Sequence, residues 1–98
     1  MEHDLKTWPF YFEAVLTGIK KHEIRVDDRG FACGDVLHLR EWDPYETYRG
    51  DRLIQSPHYT GRELRVRVTY LTPGGEWGLP ENVCVMSIEP LKEPRRGV

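Results

Sequence analysis

The stretch Phe12-Glu13-Ala14-Val15-Leu16-Thr17-Gly18-Ile19-Lys20-Lys21-His22-Glu23-Ile24-Arg25-Val26-Asp27 changes its period halfway along. Phe12, Val15 and Leu16 stand at i, i+3 and i+4, the spacing of one apolar helical face. From Glu23 the period is two. Ile24 and Val26 alternate with Glu23, Arg25 and Asp27, as in a half-buried strand. Gly18 follows Thr17 and suits the left-handed conformation that ends many helices. The segment therefore reads as helix, tight turn, strand. Alternation predicts Ile24 and Val26 on the core side, with Glu23 and Arg25 on the opposite face.

Upstream, Thr7 before Trp8-Pro9 marks the helix start, because proline is tolerated in a first turn. These signals give a helix of about ten residues, with Trp8 in the core or packed on the helix. His3 to Lys6 reads as a short strand. Downstream, Asp28-Arg29-Gly30 and Gly34-Asp35 are turn signals. Val36 to Trp42 is a strand with Leu37 and Leu39 on one face and Val36, His38, Arg40 and Trp42 on the other. Asp43 to Gly61 reads as a long polar loop, a kind of segment that is usually functional or mobile. In Leu64 to Leu71, Leu64, Val66, Val68 and Tyr70 alternate with Arg65, Arg67 and Thr69. Pro73-Gly74-Gly75 ends that strand, and Val83 to Glu89 is the last one. Residues 1–91 form one domain and 92–98 a charged tail. The order excludes parallel α/β winding, which needs a helix for each crossover. It predicts an α+β, mainly β fold: a small barrel or rolled sheet with the helix at one opening.

Composition narrows the function classes. The 98 residues carry a formal net charge of -2, so no global attraction draws nucleic acid or an anionic membrane. Any basic footprint must be local. No apolar run approaches a membrane span, and no membrane partner is expected. The first residues carry no signal stretch. With only Cys33 and Cys84, both read as small buried apolar residues, the chain is expected in the cytoplasm with reduced thiols. No cysteine pair or histidine spacing suggests a metal, and no cofactor is expected.

Lys20, Glu23 and Arg25 bring a cation, an anion and a second cation to one small region. A partly desolvated lysine beside a carboxylate can move protons. An arginine can hold a planar oxyanion through two parallel hydrogen bonds. Spacing alone also fits an ordinary salt-bridged strand edge.

Gly18-x-Lys20-x-x-Glu23-x-Arg25 resembles the signature of ASCH domains in the PUA-like superfamily. His3-x-Leu5-Lys6, Phe12-Glu13-Ala14-Val15, Asp28-Arg29 with Phe31, Gly34-Asp35, Tyr59-Thr60-Gly61-Arg62 and Cys84-Val85-Met86 resemble the DUF3850 branch of that group. The resemblance implies a PUA-like β-barrel of about five or six strands with one or two helices beside a cleft. It further implies RNA or a nucleotide as partner, with Gly18, Lys20, Glu23 and Arg25 at the cleft. A similar relative hydrolyses the acetyl amide of N4-acetylcytidine, but with threonine where this chain has Glu23, so that nucleophile is missing here. Other ASCH proteins are described as ribonucleases, for which Lys20 and Glu23 would form the catalytic proton-transfer pair without a metal.

Further ligand candidates come from the residues themselves. Arg62, Arg65 and Arg67 form a local basic run suited to phosphates or to a solvated outer face. Trp42, at a strand end, and Trp77, in a Gly-rich loop, are stacking candidates, joined by Tyr45, Tyr48 and Tyr59. The leading expectation is RNA or nucleotide binding. The alternatives are a metal-independent hydrolase of RNA or a modified nucleoside, and a protein-partner module that uses the long loop. Oligomeric state is not legible.

Overall fold

The computed structural model describes residues 1–91; the tail expected at 92–98 lies outside the described residues. Along the chain run β1 (Glu2–Thr7), α1 (Pro9–Leu16), β2 (His22–Val26), β3 (Val36–Asp43), β4 (Thr47–Arg49), β5 (Arg52–Gln55), β6 (His58–Thr72) and β7 (Val83–Pro90). Five strands form one sheet in the order β1-β3-β6-β7-β2, and β4 and β5 form a separate hairpin. The β1–β3 pair is parallel, and the other neighbours in the main sheet are antiparallel. The sheet curls into a half-barrel, bringing the edge strands β1 and β2 close enough for Arg25 on β2 to reach Lys6 and Thr7 on β1.

The core fills the concave side. It comprises Leu5, Phe12, Val15, Phe31, Leu37, Leu39, Val66, Val68, Cys84, Met86 and Ile88. Helix α1 has eight residues, with Trp8 as its N-cap and proline in the first turn. Phe12 and Val15 are its buried residues, while Leu16, expected on the same face, is half exposed. Gly18 takes the left-handed conformation (φ 82°) and ends the helix as its position predicts.

Several local expectations change. The alternation of β2 is reversed: Ile24 and Val26 are more than half exposed, whereas Glu23 is buried. The cause is register. Glu23 lies opposite Met86 and Arg25 opposite Cys84, so both charged residues share the face of buried β7 residues. Trp8 is half exposed rather than in the core, and Cys33 is exposed. The 43–61 stretch is not a plain loop, because it holds β4 and β5, and β6 already begins at His58. A register shift between Val68 and Tyr70 turns Tyr70 outward and brings Leu71 against the core, as an extra residue in one strand does.

A second irregularity lies between Arg40 and Trp42, which pair with Glu63 and Tyr59. Gly61 takes φ 96° there, a conformation that side chains with a Cβ resist. The bulge aims two neighbours at one acceptor. Thr60 Oγ1 donates to Glu41 Oε1 at 2.6 Å, and Arg62 grips Glu41 through Nε (3.0 Å) and Nη2 (2.9 Å). Arg62 Nη2 also reaches Glu13 Oε2 at 3.0 Å, which ties α1 to the sheet.

Candidate functional site

The turn after α1 places the first functional side chain. The Gly18 N–H donates to Val15 O (3.1 Å) and the Lys20 N–H to Ala14 O (2.9 Å). The chain is thus folded back beneath the helix, and Lys20 faces the start of β2. Lys20 Nζ then donates to Glu23 Oε1 at 2.7 Å and to the His22 carbonyl. Arg25 Nε donates to Glu23 Oε2 at 3.0 Å. Both oxygens of a carboxylate that is only 3% exposed are therefore satisfied by cations from its own segment. Without them, burying this charge would cost several kcal/mol, on the order of 3–5 for loss of one partner.

Arg25 does more than neutralise Glu23. Its Nη1 donates to Lys6 O at 3.0 Å and its Nη2 to Thr7 Oγ1 at 3.2 Å. One planar guanidinium joins Glu23 to the edge of β1, across a seam where the sheet forms no backbone ladder. Its planar fork is suited to such bridging.

A hollow of about 480 Å³ opens over this seam. Lys20, Glu23 and Arg25 line it on one side, with Thr7, Trp8 and Tyr11 opposite. Its size falls within the range of small-ligand sites, about 300–1,000 Å³. Trp8 and Tyr11 are each half exposed, so apolar ring surface and paired charges meet at one concavity. Lys20 also borders a second hollow of about 310 Å³ beside Gly18, Val66 and Ile88. Chemically, the arrangement offers the remaining N–H groups of Lys20 and Arg25 as donors, ring faces for stacking, and a lysine–carboxylate contact short enough for proton transfer.

The structure thus brings Lys20, Glu23 and Arg25 to one cleft, whereas Gly18, expected there too, lines the second hollow, which Lys20 also borders. The other expected ligand residues lie outside the 480 Å³ hollow. Arg62 is engaged by Glu41 and Glu13, Arg65 Nε pairs with Glu2 at 2.9 Å, and Arg67 lies 3.9 Å from Glu89. Trp77 is 88% exposed in the β6–β7 connection and adopts a left-handed φ of 56°. Trp42 packs edge-to-face on Tyr59 and meets the cleft through Lys6, which lines the hollow and sets its Nζ 4.1 Å from the Trp42 ring centre.

Sequence reading missed Lys6, Thr7, Trp8, Tyr11 and Ile24 as cleft residues. A signal existed for Thr7, because period two carries the His3–Leu5 face onto it. For Tyr11 there was none, since it lies off the apolar face of the helix.

Glu2, Asp4 and His38 each bring one potential metal-ligand atom within 4.8 Å of the others. Those carboxylates already have partners: Arg65 on Glu2 and His38 Nδ1, at 2.9 Å, on Asp4. Hydrogen bonding from His38 holds the Asp4 carboxyl below its ordinary range. Among the described residues, no helix is long and apolar enough to cross a membrane.

Comparison with known proteins bears out the DUF3850 part of the resemblance. A protein from Escherichia phage P2, known as "Uncharacterized 12.9 kDa protein in GpA 3'region", is 35% identical over 75 residues. The match takes in 76% of this chain and 58% of that relative's length. A family profile matches residues 2–88 and so takes in β1, the helix, the seam and nearly all of β7. The chain belongs to the family described as "Domain of unknown function (DUF3850)".

Proposed function

We propose that the seam hollow is a binding site for a nucleotide, free or within RNA, and that the domain is an ASCH-type module of the PUA-like class. One observation carries this reading. A concavity of ligand size combines half-exposed Trp8 and Tyr11 with a cation–carboxylate–cation cluster whose carboxylate is already satisfied. Aromatic faces accept bases of any sequence by stacking. Lys20 and Arg25 retain N–H groups for a base carbonyl or a phosphate. Glu23 fixes the positions of both cations. The resemblance of Gly18-x-Lys20-x-x-Glu23-x-Arg25 to the ASCH signature supports the same partner. The net charge of -2 makes this local recognition rather than bulk attraction to polyanions.

Titration with nucleosides, nucleoside monophosphates and short RNA, followed by tryptophan fluorescence and assigned to Trp8 by comparison with Trp8→Phe, tests the reading. Lys20→Ala should weaken binding about tenfold or more by removing a charged hydrogen bond. Unchanged affinity in a folded variant would remove the cleft from the site.

The hydrolase reading has its own supporting observation, the 2.7 Å contact between Lys20 Nζ and Glu23 Oε1. It requires a ligand to displace part of that contact, because both Glu23 oxygens are engaged. Incubation with N4-acetylcytidine and with mixed RNA checks it. Turnover that Glu23→Gln abolishes would favour the enzyme, and no turnover would leave binding as the function.

A further inference from the structure

Lys6 on β1 and Arg40 on β3 are register partners in the parallel pair, so their side chains leave the same, convex face of the sheet. Like charges placed directly opposite one another on neighbouring strands repel. Here neither charge is cancelled well. Among the described residues no carboxylate lies within 4.0 Å of Lys6 Nζ, and the closest ion pair of Arg40 is a loose 3.8 Å contact with Glu63. Arg25 and Arg62, by contrast, each hold a carboxylate at 3.0 Å or less.

Instead of spreading apart, the two cations are pinned. Lys6 Nζ stands 4.1 Å from the Trp42 ring centre, and Arg40 Cζ stands 3.9 Å from that of Tyr59. The two rings brace each other at 4.8 Å and 72°. Cation–π contact fixes each head group without neutralising it. The result is a pair of positioned positive charges beside the seam hollow, which Lys6 also lines.

We infer that Lys6 and Arg40 form a phosphate subsite at the rim of the cleft. It would take the phosphate of the nucleotide whose base enters the hollow. An ammonium supplies a point charge and a guanidinium a planar fork, and together they match the oxygens of one phosphate. That phosphate is either the terminal group of a free nucleotide or the phosphodiester of a strand leaving the cleft. The base-side half of the inference rests on the proposed nucleotide site, whereas the anion-binding half stands on the Lys6–Arg40 geometry alone.

Inorganic phosphate is the first probe, titrated into the full chain against chloride at matched ionic strength. The readout is the indole N–H resonance of Trp42 by NMR, assigned with Trp42→Phe. Phosphate should shift this resonance saturably in the wild type and not in Arg40→Gln. Absence of a saturable shift in the wild type would overturn the subsite. The second arm compares nucleosides, their 5′-monophosphates and a mixed pentaribonucleotide. A gain of about tenfold over the nucleoside is expected from a charge-assisted phosphate contact, and Arg40→Gln should lose that gain while nucleoside affinity stays the same. A gain already complete in the monophosphate assigns a terminal phosphate, and a gain confined to the pentamer assigns a phosphodiester. A gain that persists in Arg40→Gln would overturn the assignment. If no nucleoside or nucleotide binds the wild type, the proposed cleft function fails, and the inorganic phosphate arm still decides the subsite.

Discussion

Glu23 and Glu41 invite comparison. Each is a glutamate no more than 4% exposed, and each is held by an arginine and a second donor. Around Glu41 the donors come from the β6 bulge, and Arg62 passes the connection on to Glu13 of the helix. That cluster fastens α1 to the sheet and opens onto neither hollow described above. Around Glu23 the donors come from the same short segment, and they line a cleft of about 480 Å³. Similar electrostatics therefore serve two ends. A buried carboxylate alone does not mark a site; cations with spare N–H groups facing a concavity do.

The largest expected effect lies at the fastening cluster. Arg62→Ala would leave the buried Glu41 carboxylate with Thr60 as its one remaining side-chain donor among the described residues and should cost about 3–5 kcal/mol, read as a lower midpoint in urea. Ligand affinity of the protein that remains folded should be unaffected. Next comes Arg25→Ala, which leaves Glu23 with one partner and unfastens the seam. A stability loss of about 3 kcal/mol is expected, this time together with loss of nucleotide binding. If Arg62→Ala abolished binding while Arg25→Ala spared it, the roles assigned to the two clusters would be reversed.

Acid provides a subtler comparison. Hydrogen bonds from Arg62, aided by Thr60 and opposed by burial, hold the Glu41 carboxyl below its ordinary value. Asp35 is also held low: burial opposes this, and His3, the N-terminal ammonium and the Ala32 N–H outweigh it. A carboxyl with a depressed folded pKa binds its proton more readily when unfolded. Its stabilising contribution is therefore complete above the unfolded value, about 4, and is lost as pH falls through the lower folded value. Stability should decline from about pH 4 downward, with a shallower slope in Glu41→Gln. An unchanged slope in that variant would place the acid sensitivity at Asp35 or elsewhere.

The smallest expected effect is the most direct test of the β2 facing. Ile24→Ser should change stability by no more than about 0.5 kcal/mol, because Ile24 is 56% exposed. A core isoleucine would cost several times more.

That reversed strand shows where sequence reading stops. The switch of period, the Gly18 helix end and most strand positions were legible, because each follows from local spacing or backbone conformation. The facing of β2 was not. Alternation assigns apolar residues inward, yet Lys20 and Arg25 satisfy Glu23 so fully that the charged side can turn in. Register against Met86 and Cys84 then settles the matter, and register is a long-range property. Glu41 was partly legible, since it continues the buried Leu37–Leu39 face by two residues, but its partners come from a bulge some twenty residues on. The β4–β5 hairpin gave no strong signal: Tyr48, Leu53 and Ile54 are all about half exposed. For the cleft, the cluster was legible from Gly18 to Arg25, while its aromatic wall required the helix to be placed in space.

The guanidinium bridge at the seam has a consequence for how the molecule coexists with its own copies. A curled sheet that stops short of a full ladder leaves β1 and β2 as open edges, the kind on which strands of separate molecules add and aggregates grow. By occupying Lys6 O with Nη1, Arg25 claims an acceptor that an incoming strand would need. It also sets a charge on the edge. The same residue that shapes the cleft thereby guards against edge-to-edge self-association.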